Sequence, residues 1–193
     1  MVCPVLSEGF HRRTCYFPDS LWYEGFDLRE APGKLVPYKK ENGIVELPLT
    51  KTGVFFRGGS IIPTQQPGVN TEKSRENPLD IFVFLNENGT AVGDLYLDDG
   101  DSIDPIENNA FSLTKMEFGK NVLSILNEMI GYSSPAIVKN VWIVGLMTEI
   151  HEVLVADGNG NEVESSWRNA TENSVHIFDL NLSILKNFTI QLN

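Results

Sequence analysis

Apolar residues occur along this chain in short runs, each closed by Gly, Pro, Asn or Asp. Val54-Phe55-Phe56 stops at Arg57-Gly58-Gly59, and Ile81-Phe82-Val83-Phe84-Leu85 stops at Asn86-Glu87-Asn88-Gly89. Val141-Trp142-Ile143-Val144 ends at Gly145, and Val153-Leu154-Val155 runs into Asp157-Gly158-Asn159-Gly160. Val175-His176-Ile177-Phe178 and Phe188-Thr189-Ile190-Gln191-Leu192 close the series. β-Branched and aromatic residues dominate these runs, and their spacing predicts strands with turns between them. The expected class is all-β.

Two turn signals are specific. Asn88-Gly89, between apolar runs at 82–85 and 94–97, predicts a β-hairpin, because Asn and Gly tolerate the positive φ of tight turns. Asp157-Gly158 and Asn159-Gly160 predict a second hairpin. Residues 120–130 fit a helical period about as well as a strand; their neighbours favour strand. Residues 67–78 are polar and read as a long loop. A change of domain near residue 86 fits the pattern, and no internal repeat is visible.

Composition narrows the function. The chain has 193 residues, 15 Lys+Arg against 26 Asp+Glu, and a formal net charge of -11. That balance opposes nucleic-acid binding, which needs clustered Lys and Arg, and opposes a basic membrane-surface segment. No apolar run approaches the roughly 20 residues that span a bilayer. Residues 1–6 lack the basic end and apolar core of a signal peptide, so a targeting segment would lie outside this sequence. The length admits one large all-β domain or two of about 100 residues.

Candidate chemistry is sparse. His11, His151 and His176 have no partner at metal-ligand spacing. No Gly-x-Ser-x-Gly elbow is present. Arg57-Gly58-Gly59-Ser60 lacks the following helix that a phosphate cradle needs. The acidic run Asp98-Asp99-Gly100-Asp101-Ser102-Ile103-Asp104 is the densest charge cluster. It suits an Asp-Gly turn with carboxylates bonded to backbone amides; calcium binding and an acid/base pair are the alternatives. Trp22, Tyr23 and Phe26, with Tyr16 and Phe17 before them, are either core or a sugar-stacking face.

Modification signals are also present. Asn88-Gly89-Thr90, Asn169-Ala170-Thr171, Asn181-Leu182-Ser183 and Asn187-Phe188-Thr189 are N-glycosylation sequons, a mild excess over chance. Asn187 sits in an expected strand, which leaves Asn88, Asn169 and Asn181 as the candidates. If residues 2–6 and 14–17 form an antiparallel hairpin about Gly9, Cys3 and Cys15 lie opposite each other and a disulfide can form; two buried thiols are the plainer alternative.

Several blocks then resemble one family in order and spacing. Pro4-Val5-Leu6, Tyr16-Phe17-Pro18 and Trp22-Tyr23 resemble the segment that leaves the catalytic barrel in glycoside hydrolase family 31, the α-glucosidase family. Arg57-Gly58-Gly59-Ser60-Ile61-Ile62-Pro63 resembles its RGG-x-IIP stretch. Thr71-Glu72-Lys73-Ser74-Arg75 with Pro78-Leu79 resembles the next block, and Gly93-Asp94-Leu95-Tyr96-Leu97-Asp98-Asp99-Gly100-Asp101-Ser102 its G-x-L-Y-x-D-D-G-x-S run.

The resemblance implies two consecutive antiparallel β-sandwich domains, a proximal one at 1–86 and a distal one at 87–193. It implies a non-catalytic C-terminal part of an enzyme that hydrolyses terminal α-glucosidic bonds with retention. Such chemistry needs two carboxyl groups flanking one bond. The family's two aspartates lie in a (β/α)₈ barrel upstream, which takes roughly 250 residues by itself. No catalytic, cofactor-binding or metal-binding residue therefore carries over, and Asp98 and Asp99 match a motif that is not the catalytic one. The implied partner is that barrel, with carbohydrate as a further ligand and no nucleic acid or membrane segment. Secretory pathway, lysosome or cell surface is the implied location. Met1 precedes a block that is internal in the family, which implies a truncated product or a piece of a longer protein. A carbohydrate-binding module and an interaction protein are the alternative functions.

Overall fold

A computed structural model describes residues 1–25, 34–36 and 38–193. The strands in order are β1 Val2–Cys3, β2 Arg12–Phe17, β3 Trp22–Glu24, β4 Lys34–Leu35, β5 Glu41–Glu46, β6 Gly53–Arg57 and β7 Ser60–Gln65. Helix α1, Thr71–Glu76, precedes β8 Leu79–Phe84, β9 Ala91–Leu97, β10 Ser112–Gly119 and β11 Val122–Ile130. Then come β12 Ile137–Val144, β13 Val153–Asp157, β14 Ser166–Thr171, β15 Ser174–Phe178, β16 Leu182–Ser183 and β17 Phe188–Leu192. The all-β class stands.

The strands pack as two sandwiches in series. In the first, the ribbon β2-β5 covers the sheet β1-β6-β3-β4. Cys3, Phe17, Trp22 and Phe55 fill the space between them. Phe17 meets Phe55 edge-on at 5.2 Å, a favoured arrangement of two ring quadrupoles. The second sandwich is a single sheet ordered β13-β17-β11-β10-β9-β7-β8-β12-β15-β14, with β16 beside β12. It folds over so that Ile81, Val83, Val141 and Ile143 pack with Met116, Phe118, Leu123 and Ile125 in one core. β10 shows the cause: Ser112, Thr114, Met116 and Phe118 point inward and alternate with more exposed residues. β8 is buried at all six positions, as expected of a strand covered on both faces. Its pairing with β12 is a parallel ladder within a largely antiparallel sheet.

The second face of β8 and β12 joins the two sandwiches. Neighbouring residues in a strand point to opposite faces, so Trp22 and Phe55 enter the first core while Tyr23 and Phe56 turn the other way. There they meet Phe82, Phe84, Trp142 and Val144. Phe56 stacks on Phe84 at 4.9 Å, and the Tyr23 ring lies 5.5 Å from Phe84. The buried Tyr23 hydroxyl donates to the Leu85 carbonyl at 2.7 Å. Gly145, at φ +95°, makes room: a Cβ there would lie 2.3 Å from that hydroxyl.

Several local expectations change. Asn88-Gly89 does form a turn, with Asn86 Oδ1 accepting from the amides of Asn88 and Thr90. It makes no hairpin, because β7 lies between β8 and β9 and both edges of β8 are taken by β7 and β12. The 67–78 loop contains α1, started by Asn70, whose side chain accepts from the Lys73 amide at 2.8 Å. Of residues 120–130, Val122–Ile130 are strand β11. Lys120 and Asn121, both at positive φ, form the two-residue turn of the β10–β11 hairpin. The turn at 157–160 closes a hairpin-like return, with Ala156 bridged to Glu162. The proposed hairpin of 2–6 with 14–17 does not form: β1 pairs with β6, and β2 with β5.

The joint makes a quantitative prediction. Tyr23→Phe leaves the buried Leu85 carbonyl without its hydroxyl partner and should cost about 1–3 kcal/mol. Gly145→Ala should cost more, since it adds left-handed backbone strain of about 1–3 kcal/mol to a steric conflict with Tyr23. Urea denaturation followed by circular dichroism measures both; equal midpoints for the two variants and the parent chain would contradict the role given to the joint.

Candidate functional site

The acidic run is a turn built around Asp99. Its Oδ1 accepts from the amides of Asp101 and Ser102 at 3.1 and 2.9 Å, and the Ser102 hydroxyl donates to Oδ2. Arg75, from α1, donates to the Asp99 carbonyl, and its guanidinium lies over Gly100, which is at φ +72°. The Ser102 hydroxyl and the Ser102 and Asp101 amides together hold the Asp99 carboxyl down to about 2. These donors satisfy a carboxylate from within the loop, which is the Asp-Gly turn reading. Among the described residues, no three of His, Cys, Asp and Glu converge as a metal site would require.

Arg57-Gly58-Gly59-Ser60 is the crossing from the first sandwich to the second. The Gly58 amide donates to the Leu21 carbonyl at 2.8 Å, and the Gly59 amide to the Phe84 carbonyl at 2.7 Å. Both amides are therefore committed to protein acceptors and cannot cradle a phosphate.

The aromatic residues are core. Trp22 is 7% exposed and Trp142 5% exposed. Trp142 has both ring faces occupied, one by Phe82 at 4.6 Å and the other by His176 at 4.1 Å, each within 8° of parallel. A sugar cannot stack on a ring whose two faces are covered, and Trp22, buried in the first sandwich, follows the core alternative. Tyr16 is 54% exposed and stands apart from the cluster. Phe26 lies outside the described residues.

One polar network was not foreseen. Asp80 is 6% exposed near the start of β8. Its Oδ1 accepts from Asn140 Nδ2 at 2.7 Å, and Asn140 Oδ1 lies 3.2 Å from His176 Nε2. Because the Asn140 amide nitrogen serves Asp80, its oxygen faces the imidazole, and Nε2 carries the hydrogen. Burial, helped by the nearby Arg168 charge, lowers the His176 pKa and favours the neutral ring. The sequence signal was a lone Asp in the apolar run Leu79-Asp80-Ile81. The network ties β8, β12 and β15 together.

Cys3 and Cys15 come from the two layers of the first sandwich. Their Cα atoms are 6.4 Å apart and their sulfur atoms meet. That approach spans the layers, because the strand partners of the two cysteines are Gly53 and Gly43. Asn88, Asn169 and Asn181 are all exposed. Asn169 Nδ2 is within 3.5 Å of the Ile150 carbonyl. Asn187 is not within a strand as expected but exposed and just ahead of β17; its Oδ1 accepts from the Asn127 amide at 2.8 Å, beside the bulge where β10 and β11 shift register.

Comparison with known proteins agrees with this geometry. Residues 1–62 match the family described as "Glycosyl hydrolase family 31 C-terminal domain". The whole chain is 35% identical over 197 residues to intestinal sucrase-isomaltase of Homo sapiens, covering 10% of it. Over 89% of the chain the identity to an alpha-glucosidase of Schizosaccharomyces pombe is 35%, covering 17% of that protein. The chain thus spans between a tenth and a fifth of these relatives' length. Among solved structures, the glucosidase II alpha subunit in its DNJ-bound form superposes with a TM-score of 0.85 at 19% identity, over 98% of this chain and 22% of that one. That likeness shows the fold.

The Asp99 turn can be tested by titration. Carboxyl NMR should place Asp99 near 2 in the folded chain, and Ser102→Ala should move it up toward the ordinary aspartate value of about 3.9. Since the folded value is the lower one, the turn's contribution to stability is complete above about pH 4 and is lost as pH falls through about 2. An Asp99 midpoint near 4 in the parent chain would contradict the hydrogen-bond assignment.

Proposed function

We propose that this chain, whose residues 1–62 match the glycosyl hydrolase family 31 C-terminal domain, serves as the non-catalytic β-domain part of an α-glucosidase-like enzyme. Its two modules, proximal at 1–86 and distal at 87–193, pack against the catalytic barrel of the same enzyme and stabilise it. The proximal module lends β7 and β8 to the sheet of the distal one. The parent activity is retaining hydrolysis of terminal α-glucosidic bonds, carried by two carboxyl groups of the barrel.

The observation that supports this reading most is that, among the described residues, the main candidates for chemistry are engaged in holding the fold. Asp99 is satisfied by its own loop, the Gly58 and Gly59 amides are consumed, and Asp80, Asn140 and His176 bond one another between strands. A secretory environment fits both the exposed sequons and the approach of Cys3 to Cys15. In such an environment the two thiols form a disulfide, and a non-reducing peptide map should recover them in one linked peptide.

The purified chain should not hydrolyse 4-nitrophenyl α-glucoside or maltose above a buffer control. Turnover that disappears in Asp98→Asn or Asp99→Asn would overturn the non-catalytic reading and place an acid/base pair in the 98–104 loop.

A further inference from the structure

One cleft stands apart from everything above. It lies at the end of the second sandwich, encloses about 740 Å³, and is lined by Ile130, Ile137, Leu185, Phe188, Asn159 and Asn181, among others. Its size falls within the range of small-ligand pockets, roughly 300–1,000 Å³, which combine an apolar floor with a few polar groups. Ile130 is 56% exposed at the cleft, an apolar surface that the described chain leaves uncovered. Asn181 is exposed, and its side chain makes no hydrogen bond to the described residues. The backbone beside it is fixed, because β16 pairs with β12 through Leu182↔Val138 and Ser183↔Ile137. Asn181-Leu182-Ser183 is a sequon.

The other sequons differ. Asn88 lines a smaller cleft of about 320 Å³ whose other walls are polar or charged apart from Leu21, with Lys39 and Glu87 paired across it. Asn169 lies on β14, at the edge of the sheet. Asn187 reaches the same cleft as Asn181, but its amide oxygen serves the Asn127 backbone.

We propose that Asn181 carries an N-linked glycan whose first N-acetylglucosamine seats in this cleft, so that the glycan is a packed part of the fold. The inference rests on the secretory reading given above. The bond forms between Asn181 Nδ2 and the anomeric carbon of a polyprenyl-diphosphate-linked oligosaccharide. The polyprenyl diphosphate leaves with the electron pair of the broken C–O bond, and the amide gives up one proton. The sugar's apolar ring face and acetamido methyl cover Ile130, Ile137 and Leu185, and its hydroxyls face Asn159 and solvent. Covering apolar surface in this way removes it from water and favours the folded state.

The test expresses the chain through a eukaryotic secretory pathway, maps site occupancy by glycopeptide mass spectrometry and measures thermal unfolding. Asn181 should be occupied, and Asn181→Gln should lower Tm by about 2–4 °C. Trimming the glycan to a single N-acetylglucosamine should leave Tm unchanged. In chain made in a bacterial cytoplasm, without glycans, Asn181→Gln should also leave Tm unchanged, which separates the sugar from the side chain. Occupancy at Asn88 or Asn169 with none at Asn181 overturns this proposal alone, as does an occupied Asn181 whose loss leaves Tm unmoved. An unmodified chain, bare at every sequon, overturns the secretory reading along with it.

Discussion

The contact on which the architecture depends is the aromatic joint between the two sandwiches. Tyr23 and Phe56 leave the first sheet on the face opposite its own core and pack on Phe84. The Tyr23 hydroxyl then closes on the Leu85 carbonyl, while the Leu85 amide donates to Val144. The end of β8 is thereby fully hydrogen-bonded by groups from both sides. Burial pushes the Tyr23 phenol up to about 12, so it stays a hydrogen donor across the pH range in which proteins work. Close approach is set by glycine: Gly145 admits the hydroxyl, and Gly58 lets the chain cross beside the Leu85 carbonyl. Without this joint the first sandwich, whose buried cluster is Cys3, Phe17, Trp22 and Phe55, would have a small core to stand on.

That arrangement bears on function. Charged and polar groups, among them the acidic run read as candidate chemistry, are spent on holding turns and strands. Asp99 organises its loop, and Arg75 reaches from α1 to the same turn. Asp80, Asn140 and His176 hold three strands in register next to the stacked Trp142. Under the proposed function these contacts belong to a β unit that supports a catalytic domain, and the relatives that match this chain are several times longer than it is.

Much of the fold was legible from residue pattern, and the gaps have physical causes. Short β-branched runs closed by Gly and Asn gave the all-β class, because strand period and turn chemistry are local properties. The Asn88-Gly89 hairpin failed because a turn signal says nothing about which edge of a strand is already occupied; β7 holds that edge of β8. Helix α1 went unseen since Thr71–Glu76 has no buried residue, and an element without an apolar face leaves no hydrophobic period. The turn at Lys120-Asn121 lacked the glycine that usually advertises positive φ. The hairpin that would have set Cys3 opposite Cys15 does not form, and the two approach across two layers rather than two paired strands. Asp80 was readable as an oddity in an apolar run, but its partners lie 60 and 96 residues away in sequence, beyond any local rule.

Native-state hydrogen exchange tests the coupling of the two sandwiches most directly. If the joint binds them into one cooperative unit, amides of β6 and of β12 exchange with the same opening free energy. Phe84→Ala should then lower both by the same amount, about 3–5 kcal/mol. Exchange of β6 amides through a separate, lower-energy opening that Phe84→Ala leaves unchanged would contradict the account.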